Sequence, residues 1–364
     1  MSEQSDFALK SGVQPGDSAF LLNSGRHRLA FDPFPGRTIL LAFLGPVSGA
    51  AAGAALDTLE ANRRLVDEGE AAFFAVASES GAGSEIGLEA RFPSVRFLWD
   101  GGEMARAFGA RPGYVVLDPM LRVIGVAPLD EAGLALSHIR APASSSAPCP
   151  VLSLSDVFEP ELCRCLIACF ERGGGRETGF MQDEGGRGIE NFDQAWKRRR
   201  DVHLTDARLI AALRARIGRR ICPEVRKAFQ MRLTRIERDL VARYDSETGG
   251  HFGPHRDDTG VSVAHRRFAA SINLNADFDG GEISFPEYSR RSFKAAPGTA
   301  IVFSASILHQ VSRVTRGRRY VFLTFLFDEE AERARQANLR AMQEAGRSLK
   351  PPRECAEPYP APAR

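Results

Sequence analysis

Cysteine is missing from the first 148 residues of this 364-residue chain; its six copies stand at 149, 163, 165, 169, 222 and 355. The first third therefore has no side chain for chemistry that needs a thiolate. Of the rest, Cys163, Cys165 and Cys169 fall on an expected helix. There Cys165 and Cys169 share a face and read as core, not as metal ligands. Unpaired cysteines of this kind point to a reducing cytoplasm. Charge of one sign is also lacking: 48 Lys and Arg against 46 Asp and Glu leave a net +2. No global field marks the chain as a nucleic-acid binder. Long apolar runs are scarce. Residues 38–56 carry no charge, but Gly, Ala, Ser and Pro fill the middle, so they read as strand, loop and helix start and not as a membrane span. The opening MSEQSDFALKSG has no basic region followed by an apolar core, and no secretory signal is expected.

What is present is ordinary in bulk, 43% hydrophobic and 26% charged, as in globular proteins. The length exceeds one typical domain, so two are expected. Residues 1–140 alternate strand-like and helix-like stretches, the pattern of an α/β domain. Segments 37–43 and 71–77 read as buried parallel strands with a helix, 54–68, between them. Segments 114–118 and 123–126 read as a closing hairpin. Residues 141–150, APASSSAPCP, form a Pro/Ser-rich linker. A second domain, 151–330, opens with a helix for which Ser155 or Asp156 is the expected cap and Pro160 lies near the start. Two more helices are expected at 206–220 and 223–229. GGGRETG (173–179) lacks the Lys-Ser/Thr of a phosphate loop and reads as a plain loop. Lys197–Arg200, KRRR, reads as a solvated basic patch. Residues 331–364 complete a charged helix and add a Pro-rich tail expected to be disordered.

The chemistry concentrates between Tyr244 and Arg319. His255-x-Asp257 with a distant His309 is the ligand set of the two-histidine, one-carboxylate facial triad, which holds non-haem Fe(II) and leaves positions open. In a strand, residues i and i+2 share a side, so His255 and Asp257 are expected to serve one metal from one strand. Gly249, Gly250, Gly253 and Pro254 exclude a helical pairing of His251 with His255; His251 reads as a hydrogen-bonding neighbour. Segment 299–311 is expected to be the strand carrying His309. A turn at Thr315-Arg316-Gly317 would return 318–323 beside it, setting His309 opposite Arg319 in one hairpin. Alternation turns Arg319 toward the metal and Arg318 away. A guanidinium there is a natural anchor for the far carboxylate of a short dicarboxylate, 2-oxoglutarate. Gly280-Gly281 reads as a bulge or tight turn.

Several motifs in order now carry a resemblance. They are Tyr244 followed by Gly250-x-Phe252-x-x-His255-x-Asp257, then Leu274-Asn275 and Gly280-Gly281-Glu282-x-x-Phe285-Pro286, then His309, Val314 and Gly317-x-Arg319-Tyr320. The region resembles Fe(II)- and 2-oxoglutarate-dependent dioxygenases of the prolyl 4-hydroxylase type. The resemblance implies a double-stranded β-helix, or jelly roll, with Fe(II) on His255, Asp257 and His309. It implies 2-oxoglutarate anchored by Arg319 with a hydrogen bond from Tyr244, O₂ as oxidant, and L-ascorbate to restore oxidised iron. The implied reaction hydroxylates a protein or peptide side chain and releases succinate and CO₂. The loop between Tyr244 and His255 is longer than the usual family spacing. Arginine at 319, where animal collagen-type enzymes have lysine, leans toward bacterial relatives. The substrate stays open: a free amino acid or small metabolite is the alternative for an enzyme, and a non-catalytic oxygen or 2-oxoglutarate sensor is the alternative to one. Neither a membrane nor a nucleic acid is an expected partner.

Residues 10–140 resemble a thioredoxin-fold, peroxiredoxin-like domain, on PGDSAF near the start and WDGGEMARAFGARPGYVVLDPMLRV near the end. Where that family places its peroxidatic cysteine, this sequence has LGPVSGAAAG (44–53). A redox-inactive domain with a docking or dimerisation role is what this implies.

Overall fold

The structure, a computed structural model, describes residues 13–15, 17–19, 36–77, 84–109, 112–139, 148–184, 187–289 and 291–344. The linker at 141–147 and the Pro-rich tail lie outside that set. Among the described residues no helix is long and apolar enough to cross a membrane.

The N-terminal unit is built on β1 (Thr38–Gly45), α1 (Ala50–Ala61), α2 (Arg64–Asp67), β2 (Ala71–Ala77), α3 (Ser84–Arg91) and β3 (Val95–Trp99). It continues through α4 (Glu103–Ala107), β4 (Gly113–Leu117), β5 (Val123–Pro128) and α5 (Ala132–Ser137). The sheet order is β3-β2-β1-β4-β5. β1 and β3 run parallel to β2, and β4 runs antiparallel to β1 and β5. Every residue of β2 is buried, because one face of the sheet packs on Leu56, Leu59 and Ala135 and the other on Met104 and Phe108. A strand covered on both faces needs no polar alternation, and AAFFAVA has none. The expected helix 54–68 is two helices, interrupted at Asn62 and Arg63.

The second unit contains β6 (Leu152–Leu154), α6 (Pro160–Gly173), β7 (Arg176–Glu177), β8 (Phe180–Glu184), β9 (Arg187–Asn191), β10 (Lys197–Arg198) and β11 (Arg200–His203). Then follow α7 (Ala207–Arg220), α8 (Cys222–Phe229), β12 (Arg235–Asp245), β13 (His251–His255), β14 (Phe268–Asn273), β15 (Phe278–Gly280) and β16 (Ile283–Ser284). The last elements are β17 (Ser292–Phe293), β18 (Ala300–Ser304), β19 (His309–Val311), β20 (Val314–Phe327) and α9 (Glu329–Glu344). The main sheet runs β6-β18-β14-β20-β12-β11-β7, and a smaller one runs β10-β13-β19-β16-β17. From β12 onward the chain winds back and forth between the two, which is jelly-roll topology. The outer face of the main sheet packs on α6, α7 and α8 through Leu166, Phe170, Leu213, Ile217 and Val225. The inner face meets the smaller sheet around Leu240, Ala242, Tyr244, Phe252 and Val311.

Four local expectations need correction. Segment 299–311 is not one strand: β18 ends at Ser304, a turn closed by Ile307 N–H donating to Ser304 O (3.0 Å) follows, and β19 starts in the other sheet. Consequently β19 and β20 form no hairpin; β19 pairs with β13 and β16, and β20 with β12, β14 and β15. The cap of α6 is Glu159, with Pro160 in the first turn. Glu159 is held in place by Arg216 and Arg220, both at 2.6 Å. In the same helix Cys163 is the buried cysteine, whereas Cys165 is exposed.

Candidate metal centre

β13 and β19 are antiparallel neighbours, and their register sets His255 against His309. Asp257 comes from the turn after β13 and not from the strand, which corrects the i, i+2 strand argument. Its backbone N–H donates to Ala305 O (2.9 Å), and this places the carboxylate between the two imidazoles. His255 Nε2 lies 3.6 Å from Asp257 Oδ1, and His309 Nε2 lies 3.3 Å from Asp257 Oδ2. One ligand atom from each residue falls within 4.8 Å of the other two.

The opposite ring nitrogens are occupied. His255 Nδ1 meets Gly253 O at 2.9 Å, and His309 Nδ1 meets Ile307 O at 3.0 Å. A backbone carbonyl on Nδ1 fixes the tautomer that keeps the Nε2 lone pair free, the usual outer support of a metal-binding histidine. Burial, and then the nearness of His309, hold the His255 imidazolium well below its usual range. Phe252 stacks on His255 at 3.6 Å, while Phe303 and Phe285 flank His309 at 4.6 and 6.4 Å. Two imidazoles and one hard carboxylate, walled by aromatic rings, fit Fe(II).

Arg256 and Glu287 brace this geometry. The guanidinium donates to Glu287 at 2.5 and 3.1 Å and to Ser306 O, and the same carboxylate accepts the Leu308 N–H at 2.9 Å. The turn bearing Asp257 is thereby tied to the residue before His309.

Arg319 projects from the facing sheet, opposite Tyr244 in the β12–β20 register. It is only 4% exposed. Its Nε donates to Asn273 Oδ1 (2.9 Å) and Nη2 to Ser271 Oγ (3.4 Å), and the guanidinium sits 5.6 Å from the centre of the Tyr244 ring. No carboxylate of the described residues lies within ion-pair distance of it. Burial, with Arg199 adding to it, lowers its pKa against the favourable influence of Tyr244. Gly281 (φ +63°) clears its stem: a Cβ there would stand 3.2 Å from Arg319 Cδ and 2.8 Å from Val314 Cγ2. Arg318 points out and pairs with Asp245 at 2.9 Å. The inward and outward assignment agrees with alternation along β20, although the hairpin offered as its frame does not exist.

The KRRR run was misread as a solvated patch. Lys197 and Arg199 are buried. Arg199 grips Asp201 bidentately (2.8 and 2.7 Å), and Tyr244 is among its electrostatic neighbours. Lys197 donates to Thr178 Oγ1 (2.9 Å) and Gly179 O (2.6 Å) and stands 5.0 Å over Phe252. Arg198 and Arg200 take backbone carbonyls on the other side. The signal that would have found this is period-two alternation: Arg199-x-Asp201 places opposite charges on one face of a strand. His251 stays outside the metal donors, with Nδ1 on Gly249 O and Nε2 on Ala195 O, both at 2.8 Å.

Comparison with known proteins now bears on the same stretch. Residues 240–327 match the 2OG-Fe(II) oxygenase superfamily. A PKHD-type hydroxylase of Sphingopyxis alaskensis is 34% identical over 99 residues, covering 25% of this chain and 44% of that protein. Another, from Maricaulis maris, is 38% identical over 88 residues, covering 23% and 39%. The chain thus spans less than half the length of these relatives. A solved viral collagen prolyl hydroxylase from Paramecium Bursaria Chlorella virus-1, in complex with 2OG, aligns with a TM-score of 0.36 at 16% identity, over 49% of this chain and 94% of that one. Between residues 240 and 327, then, this chain carries both the sequence match and the donor set of a 2OG-Fe(II) oxygenase.

Proposed function

We propose that this protein is an Fe(II)- and 2-oxoglutarate-dependent dioxygenase that hydroxylates a protein or peptide side chain. The observation that carries the proposal is Arg319, a buried cation with no carboxylate partner among the described residues, facing a three-donor cluster. A buried charge without a partner is costly, and a bound dicarboxylate would supply one. His255, Asp257 and His309 would hold Fe(II), and Arg319 the far carboxylate of 2-oxoglutarate. Tyr244, whose ring centre lies 5.6 Å from the Arg319 guanidinium, would stand beside that carboxylate. Bound there, Fe(II) would supply the O₂-dependent oxidation that no side chain can perform. The chain's own part is to fix the imidazole tautomers, hold Asp257 through Arg256 and Glu287, and exclude water with Phe252, Phe285 and Phe303. Succinate and CO₂ would be the coproducts, and L-ascorbate the reductant that restores oxidised iron.

Residues 1–140 complete the proposal as a thioredoxin-like, redox-inactive domain that docks a partner or a second copy. Its mixed five-stranded sheet and its lack of any cysteine support that reading. The linker at 141–150, the oxygenase domain at 151–330, a terminal charged helix and a cytoplasmic location belong to the same proposal. The test is incubation with cell-extract proteins, Fe(II), ascorbate and 2-oxoglutarate, followed by mass spectrometry. One-oxygen additions with matching succinate release are expected. Binding of iron and 2-oxoglutarate with no turnover in any extract would replace the enzyme with a sensor.

A further inference from the structure

β12 is interrupted where its register with β20 slips: Glu237 pairs with Phe325, but the next paired residue is Leu240, against Leu323. The slip is a bulge, and Thr324 Oγ1 secures it by donating to Glu237 O (3.1 Å). Inside it Arg238 adopts φ +67°, a left-handed conformation uncommon for any residue but glycine. Bulges beside binding sites re-aim side chains, and strained backbone concentrates at sites of function.

Here the bulge separates two neighbours. Asp239 goes to Arg214 on α7, at 2.6 Å. Arg238 goes to the inside of the jelly roll, where its guanidinium stands 5.7 Å from the Phe325 ring centre. Phe325 belongs to the apolar cluster of Phe285 and Phe303, the rings that flank His309. Arg266 covers the same ring at 3.9 Å, and its other hydrogen bond, 3.1 Å, is to the backbone carbonyl of Asp257. Arg238 is therefore at the metal-donor end of the interior.

Its cationic neighbours are already paired. Arg266 donates to Glu237 (2.7 Å), a carboxylate that also takes His265, and Arg199 is held by Asp201. Arg238, half-buried, has no carboxylate of the described residues within ion-pair distance. Burial, then the charges of Arg266 and Arg199, push its pKa down to about 10, which leaves it a cation at neutral pH.

We propose that Arg238 is an anion-binding residue of this site and takes a carboxylate carried by the substrate, beside the position where the metal donors converge. Only the word substrate rests on the oxygenase reading. Anion capture is measurable without iron, 2-oxoglutarate or turnover, so the two can fail separately.

The experiment uses the metal-free full-length chain and capped pentapeptide pools bearing a neutral dye, with either Glu or Gln fixed at the centre. Wild type should bind the Glu pool about tenfold tighter or more, the range of one charge-assisted hydrogen bond. That preference should disappear in Arg238→Gln, return in part in Arg238→Lys, and shrink with added salt. Arg238→Gly should lose the preference while its melting temperature stays level or rises, since glycine accepts the left-handed backbone. A purely structural arginine would instead lower the melting temperature in the Gln and Gly variants. Calorimetry with free aspartate separates the sources: binding of aspartate without a pool preference, lost in Arg238→Gln, assigns the carboxylate to a small acid and not to a peptide. Absence of both effects in wild type, or their persistence in Arg238→Gln, overturns the proposal.

Discussion

The two β-sheet units of this chain fill their interiors in opposite ways. In the N-terminal sheet both faces are packed with Ala, Leu, Val and Phe, and β1 and β2 present little except apolar side chains. In the second unit the space between the sheets holds Lys197, Arg199, Asp201, Arg256, Glu287, His309 and Arg319, all at least nine-tenths buried. Charged groups are rarely that buried unless paired, and most of these are: Arg199 with Asp201, Arg256 with Glu287. Arg319 has no carboxylate of the described residues within ion-pair distance and donates to the neutral oxygens of Asn273 and Ser271. One interior is there to be stable, and the other holds charges in fixed places.

The comparison can be broken hardest at the three donors. His255→Ala, Asp257→Ala and His309→Ala should each weaken Fe(II) binding by about two orders of magnitude or more, beyond the 10- to 100-fold typical of losing an outer partner. Metal content after equilibration at fixed free Fe(II) is the measurement. A variant that keeps its iron removes that residue from the proposed triad.

Next comes the cation. Arg319→Ala would leave the far carboxylate desolvated and unpaired, at a cost of about 3–5 kcal/mol. The 2-oxoglutarate affinity should fall by about two to three orders of magnitude, with iron binding retained. Arg318→Ala loses outward-facing pairs with Asp245 and Glu247, and Asp245 keeps Arg243 at 3.6 Å; it should change the affinity little. Titration of the metal-to-ligand charge-transfer absorbance in both variants decides. Equal, small effects would mean that the cosubstrate is anchored elsewhere.

The mildest effect on the site is expected from the other unit. Leu40 is fully buried in the N-terminal sheet, and Leu40→Ala should destabilise that unit by about 2–5 kcal/mol. Iron and 2-oxoglutarate affinities should be unchanged. Loss of either affinity in step with the melting temperature would show that the apolar unit holds up the charged one.

How much of this is legible in the sequence alone follows the same division. Apolar runs covered on both faces announce themselves, so 71–77 was found to the residue and 37–43 nearly so. β3, VRFLW, escaped because Arg96 interrupts its pattern. In the second unit the residue types that converge, His255, Asp257 and His309, were singled out by spacing and motif order, and Arg319 by alternation. The route that brings them together was not legible. Changes of sheet at 304–309 and 311–314 depend on long-range hydrogen bonds, such as Val314 N–H to Gly250 O at 2.9 Å, which no local pattern encodes. Lys197 and Arg199 were missed because four consecutive cations look solvated until the alternation of a strand is imposed on them.

The crossover between β19 and β20 is only Ser312 and Arg313. A Cβ on Gly280 would stand 2.1 Å from Arg313 O, so the backbone there is gripped on both sides. This short link leads directly from the wall that bears His309 to the wall that bears Arg319, and such walls pack about 10 Å apart. The two walls then act as the jaws of a gauge whose opening is set by main chain and not by adjustable side chains. A diacid held between them as proposed would be sorted by its length: one methylene too few would leave an end ungripped, and one too many would have to buckle.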